Sequence, residues 1–208
     1  MAGIAGIDQL GKEYTVKKML SKISHRGNAG WHVQEVENAT FGIVYSEPQE
    51  DSLFRMKRKN EALDGNSPGH QALVKAKEDG LVLKRDPLGV APLYYGEDEG
   101  GSLYFASEVK ALVDFCSDIH ILPPGYRFDG EQLTSYFELK EKRPLDDEPD
   151  IIAGDLKRSI INSIERRVEP KNIVGCWLSG GLDSSALAAL CKPRVKKCVS
   201  SNGFGQTC

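Results

Sequence analysis

The chain opens on a short apolar run, Gly3 to Ile7, which predicts a strand. A polar stretch from Tyr14 to Ile23 then predicts a helix, and His25-Arg26-Gly27-Asn28-Ala29-Gly30 follows as a loop on its glycines. Residues 31–65 carry a weak pattern, with one predicted strand at Phe41 to Tyr45. From Gln71 the pattern sharpens. Ala72, Val74 and Ala76 alternate, Leu81-Val82-Leu83 follows, and Glu78-Asp79-Gly80 between them predicts a hairpin turn. Arg85-Asp86-Pro87-Leu88-Gly89 reads as a turn, since proline removes a donor and glycine permits positive φ. Leu93-Tyr94-Tyr95 and Leu103 to Ala106 predict two more strands across the turn Asp98 to Gly101. Ser107 is expected to cap a short helix from Glu108 to Phe115. Several hairpins with few helices point to a layered α+β domain.

Residues 138–150 are almost wholly charged residues and proline, a composition that buries little area and reads as a linker. Beyond it, Ile152, Leu156, Ile160, Ile164 and Val168 recur every fourth residue, predicting an amphipathic helix that Pro170 stops. Asn172 to Leu178 is nearly unbroken apolar sequence, as expected of a strand buried on both faces of a parallel sheet. The expected organisation is a first domain over residues 1–137, a linker over 138–150 and the start of an α/β domain over 151–208.

Composition narrows the class. The 208 residues include 27 Lys and Arg against 30 Asp and Glu, a net charge of -3 that argues against a nucleic-acid binder. No run of about 18 apolar residues predicts a membrane span. The five cysteines (Cys116, Cys176, Cys191, Cys198 and Cys208) form no CxxC pair, so neither a disulfide framework nor a zinc site is expected. The expectation is a reduced, cytoplasmic, globular protein. His25, His32, His70 and His120 are scattered and read as surface or hydrogen-bonded residues. The basic run Arg55 to Lys59 reads as a solvated face, with a phosphate or RNA patch as the alternative. Cys176 is expected to be packed and inert.

The candidate chemistry lies in Ser179-Gly180-Gly181-Leu182-Asp183-Ser184-Ser185, followed by the helix formers Ala186 to Leu190. A loop joining a strand end to a helix N-terminus is where open α/β sheets bind ligands. Two glycines let backbone N–H groups approach an anion, and the helix end adds partial positive charge. The hydroxyls of Ser179, Ser184 and Ser185 are expected to add donors, and Asp183 the hard oxygen for Mg²⁺ beside a polyphosphate. A Walker loop requires Lys followed by Ser or Thr, which this loop lacks.

This loop resembles the pyrophosphate-binding loop of ATP pyrophosphatases, and the upstream sequence is similar to glutamine-hydrolysing asparagine synthetases. The matching pieces are Gly3 to Gly6, His25-Arg26-Gly27, Arg85 to Gly89 with Pro92 to Tyr95, Phe105 to Leu112 and Pro124-Gly125, in the family's order. The resemblance implies an N-terminal-nucleophile, class II glutamine amidotransferase-like domain. It also implies the first part of a Rossmann-like ATP-binding domain. It implies ATP and Mg²⁺ as cofactors, with aspartate activated as an adenylate and ammonia displacing AMP. Ser179, Gly180, Gly181, Asp183, Ser184 and Ser185 would hold the pyrophosphate end of ATP, and Trp177-Leu178 would lie near the adenine through their backbone. Val199 to Gly203 looks like the family's second strand.

Three departures qualify the resemblance. The family's nucleophilic cysteine follows the initiator Met, and here that place is Ala2, whose methyl group cannot form a thioester. The family's Asn-Gly oxyanion segment has no counterpart between Trp31 and Gln71, where Asn66 near Gly69 reads as a turn residue. Glutaminase activity is therefore not expected. The sequence also stops at Cys208, barely past the first strand–loop–helix, so a truncated domain is expected, with apolar strand surface exposed. Two other readings stay open: a β-lactam synthetase-like cyclase, and a non-catalytic subunit pairing with itself or with a full-length synthetase.

Overall fold

The computed structural model describes residues 2–46, 61–67, 70–141, 143–168, 170 and 173–202. The chain divides into two compact units, Met1–Lys140 and Glu141–Cys208.

The first unit begins with β1 (Gly3–Ile7) and α1 (Glu13–Lys22), then β2 (Gly30–Val36) and β3 (Ala39–Tyr45). Next come β4 (Glu61–Ser67), β5 (His70–Lys77), β6 (Gly80–Arg85), β7 (Tyr94–Glu97) and β8 (Leu103–Ala106). The short strands β9 (Asp118–Ile121), β10 (Tyr126–Phe128) and β11 (Leu133–Ser135) complete it. A six-stranded sheet runs β2-β3-β1-β8-β7-β9 and a five-stranded sheet β11-β10-β6-β5-β4. Register follows the buried pattern: Ile4 opposes Ile43, and Val74 opposes Leu83 across the predicted hairpin. Ile4, Phe41 and Phe105 of one sheet meet Val74, Leu81 and Leu83 of the other in a shared core. Each such side chain contributes about 1.5–3 kcal/mol on burial. The opposite face of the six-stranded sheet packs Ala5, Ile7 and Val44 against Val16, Met19 and Leu20 of α1. The layering is helix, sheet, sheet. Gly6 is fixed by this packing, because a Cβ there would stand 2.4 Å from Phe41 Cβ.

Several expectations change here. Ser107 caps no helix: its hydroxyl accepts the Ile4 N–H at 2.9 Å, tying β8 to β1. The helix expected over Glu108 to Phe115 is a single 3-10 turn, Val109–Ala111, followed by hydrogen-bonded turns, with Ala111 and Leu112 buried. Asn66 lies inside β4, at a register shift between Asp64 and Ser67, rather than in a turn. The basic run Arg55 to Lys59 and Gly69 lie outside the described residues.

The second unit contains α2 (Pro149–Glu165), β12 (Ile173–Leu178), α3 (Leu182–Cys191) and β13 (Lys197–Asn202), with β12 and β13 parallel. α2 starts on Pro149, a residue pre-set for the first helical turn, inside the stretch expected as linker. It ends at Glu165, five residues before Pro170, through turns from Arg167 and Val168 N–H to Ile164 O. Of its periodic residues Ile164 is buried, at 9% exposure, whereas Leu156 stays 60% exposed. β12 is not buried on both faces. Val174, Cys176 and Leu178 are half-buried, while Ile173 (68%) and Trp177 (80%) face outward. Cys176 is thus only partly packed, and Gly203 lies outside the described residues. Among the described residues, no helix is long and apolar enough to cross a membrane.

Candidate functional site

β12 runs straight into the glycine loop. Gly180 adopts φ 83°, a left-handed conformation open to glycine at little cost, and a Cβ there would meet nothing within 4 Å. Gly181 occupies the N-cap position of α3 with no side-chain cap, and helical bonding begins with Ser185 N–H donating to Gly181 O at 3.3 Å. The N–H groups of Leu182, Asp183 and Ser184 therefore precede the first intrahelical bond, and they point off the helix end with its partial positive charge. Ser179, Gly180, Gly181 and Asp183 are exposed, and Ser184 is half-buried.

The serines behave differently from the sequence expectation. Ser179 and Ser184 hydroxyls lie 3.0 Å apart, Ser184 Oγ accepts the Ser179 N–H at 3.2 Å, and Ser179 Oγ accepts the Gly181 N–H at 3.3 Å. Ser184 and Ser185 hydroxyls both reach Gly181 O, at 3.2 and 2.9 Å. One proton arrangement satisfies all of these: Ser179 donates to Ser184, and Ser184 and Ser185 donate to Gly181 O. The hydroxyl protons thus hold the loop's shape, and each must rotate before it can reach an anion. The first-turn backbone amides are the donors already aimed outward, a role that the helix-forming run from Leu182 signals only indirectly.

Asp183 stands alone as the loop's carboxylate, and among the described residues no three His, Cys, Asp or Glu gather to hold a metal. One carboxylate beside outward backbone amides suits Mg²⁺ arriving on a polyphosphate, which keeps waters and phosphate oxygens as most of its ligands. It is too small a donor set for a free ion. Trp177 places its indole in solvent, and Leu178 is half-buried directly before the loop.

In the first unit, the place of the family's nucleophile is closed. Ala2 is 2% exposed and belongs to the inter-sheet core with Ile4 and Phe41. Its carbonyl accepts Arg26 Nε at 2.9 Å, and Arg26 in turn lies 3.4 Å from Glu108. His25 and Lys110 reach the same carboxylate at 2.9 and 3.2 Å. Sequence reasoning gave His25-Arg26-Gly27 as a loop and did not foresee this cluster, since Glu108 is more than 80 residues away.

Known proteins bear on both units. Residues 69–145 match the glutamine amidotransferase domain family, and residues 155–203 match the asparagine synthase family. The class is therefore a glutamine amidotransferase-type domain followed by an asparagine synthase-type one. Asparagine synthetase (glutamine-hydrolyzing) 1 of Saccharomyces cerevisiae is 36% identical over 135 residues, 62% of this chain and 23% of that protein. Asparagine synthetase B (glutamine-hydrolyzing) of Escherichia coli is 37% identical over 126 residues, 58% of this chain and 22% of its own length. A probable asparagine synthetase of Schizosaccharomyces pombe is 34% identical over 130 residues, 60% of this chain and 23% of its own. The chain is thus similar to asparagine synthetases in both units, and its matches span less than a quarter of these relatives' length.

Proposed function

We propose that this chain serves ATP-dependent amide formation, with the Ser179–Ser185 loop holding the pyrophosphate end of ATP and with no glutamine hydrolysis of its own. The observation that carries the reading is the start of α3. Gly180 turns through φ 83° and Gly181 leaves the helix end uncapped, so the N–H groups of Leu182, Asp183 and Ser184 converge on the space beyond it. Asp183 would hold the Mg²⁺ that travels with the nucleotide, and bound Mg²⁺ supplies neutralisation of charge on the leaving pyrophosphate. Trp177 and Leu178 would border the adenine through their backbone. Asparagine as the product named for the relatives makes aspartate the acid that is activated, and ammonia from solution the nucleophile, since Ala2 carries no thiol. Restoring a cysteine at residue 2 would not by itself restore glutaminase, because that side chain sits in the inter-sheet core.

Thermal unfolding tests the loop. Millimolar MgATP raises the melting midpoint of the native chain by mass action. Asp183→Ala and Gly180→Ala remove most of that rise, the second because alanine is strained at this φ. An undiminished rise in both variants would contradict the reading.

A further inference from the structure

A cavity of about 420 Å³ opens in the first unit, where the β7–β9 edge of the six-stranded sheet meets β10 of the other sheet. Its size is that of a small-molecule pocket. Three rings line it. Tyr95 stacks on Phe128 with centroids 4.5 Å apart, and the His120 ring lies 5.5 Å from Tyr95. Phe128 is buried in the inter-sheet core, Tyr95 is half-buried and His120 is exposed, so the rings lead from the core out to solvent.

Strand register sets the charge. Tyr95 opposes His120 and Glu97 opposes Asp118, and the two-residue period of β7 and β9 puts all four on one face. Two carboxylates directly opposite each other repel and destabilise the pairing, a cost that a cation between them removes. Among the described residues Glu97 has no hydrogen bond or ion pair. Asp118 has His120 at 3.3 Å, an ion pair only when the imidazole is protonated. Asp98 adds a third carboxylate, and among the described residues no lysine or arginine lines the cavity. With His120 charged, two of the three carboxylates lack a cation; with His120 neutral, all three do. Neighbouring groups register the same field. Burial, then the Asp98 and Glu97 charges, push the Cys116 thiol up to about 11, and burial with the Glu97 charge raises Tyr95.

We propose that this cavity binds a small organic ammonium ion, its charge between Glu97 and Asp118 and its apolar body against the Tyr95 and Phe128 rings. The rings favour a cation that carries hydrocarbon. A bare metal ion is not favoured, since among the described residues no three His, Cys, Asp or Glu gather to hold one. The site is independent of the nucleotide loop in the second unit. The test is a titration of the ¹⁵N-labelled full chain with benzylammonium chloride at pH 7, followed by amide shifts. Benzyl alcohol controls for the ring without the charge, and ammonium chloride for the charge without the ring. Saturable shifts in the millimolar range are expected at the amides of Tyr95 to Glu97 and Asp118 to His120, with benzylammonium alone. Glu97→Gln combined with Asp118→Asn, both at exposed positions, should weaken binding at least about tenfold. Tyr95→Leu should weaken it too, whereas Tyr95→Phe, which keeps the ring, should retain it. Shifts of equal size with benzyl alcohol or with ammonium chloride would overturn the proposal. So would binding unaltered by the paired carboxylate substitutions or by Tyr95→Leu.

Discussion

Asp8 and Asp98 accept consecutive backbone N–H groups, those of Leu103 and Ser102, at 2.9 Å each. Burial nevertheless raises Asp8 above the ordinary carboxylate range, helped by repulsion from Asp98 and Glu97. The Ser102 N–H instead lowers Asp98, with Gly100 N–H and Tyr104 OH assisting. Burial and the Asp98 charge in turn push Tyr104 up to about 12. A raised carboxyl favours the folded state in acid and loses that contribution as pH rises through its folded value. Asp98, being depressed, contributes above its unfolded value of about 4 and loses this as pH falls. Asp8→Asn keeps the acceptor for Leu103 and removes the charge. It is expected to be more stable than the native chain at pH 7 and to lose that advantage by pH 3, measured as urea midpoints across pH. A variant less stable at pH 7 would contradict this. The neighbouring motif Arg85-Asp86 was legible only as a turn. Arg85 donates to the carbonyls of Ala91, Leu122 and Gly89, and Asp86 accepts the N–H groups of Leu88, Val90 and Ala91. These are partners of backbone, which carry no sequence signature.

At the level of elements, strands with buried neighbours on both sides announced themselves. The β5–β6 hairpin places Ala72, Val74, Ala76, Leu81 and Leu83 inward on a two-residue period. β2 and β4 gave little signal, and both are edge strands, as are β9 and β11. An edge strand meets a neighbour along one side only and tolerates polar residues, so its pattern fades. β10 is internal but only three residues long, too short for a period to register. α2 shows the converse failure. Its four-residue repeat was plain, yet Leu156 is exposed while Ile164 is buried against the rest of the unit. Ile164→Ala is expected to destabilise the second unit by about 2–4 kcal/mol. Leu156→Ala should change it by less than about 0.5 kcal/mol. Helix signal followed against urea separates the two, and equal losses would contradict the packing.

Across the molecule, the two units differ in depth of core. The first encloses a shared inter-sheet core and a second cluster under α1; in the second, Ile164 and Cys191 are the buried hydrophobic residues among those described. Two calorimetric transitions are therefore expected, the second unit melting first, with MgATP raising only the lower one. A single transition raised as a whole would contradict this. The loop itself was legible because glycines, serines and a helix-forming run sit together in sequence. What was not legible is how its hydroxyl protons are used, since that depends on Gly180 turning left-handed and bringing Ser179 onto Ser184.

Calorimetric titration of the native chain with MgATP, magnesium pyrophosphate and AMP addresses the nucleotide loop most directly. If the start of α3 holds the pyrophosphate end, MgATP and magnesium pyrophosphate both bind, each weakened at least about tenfold by Asp183→Ala, and AMP binds far more weakly. AMP binding as tightly as MgATP, with pyrophosphate silent, would place recognition away from residues 179–185 and contradict the role assigned to them.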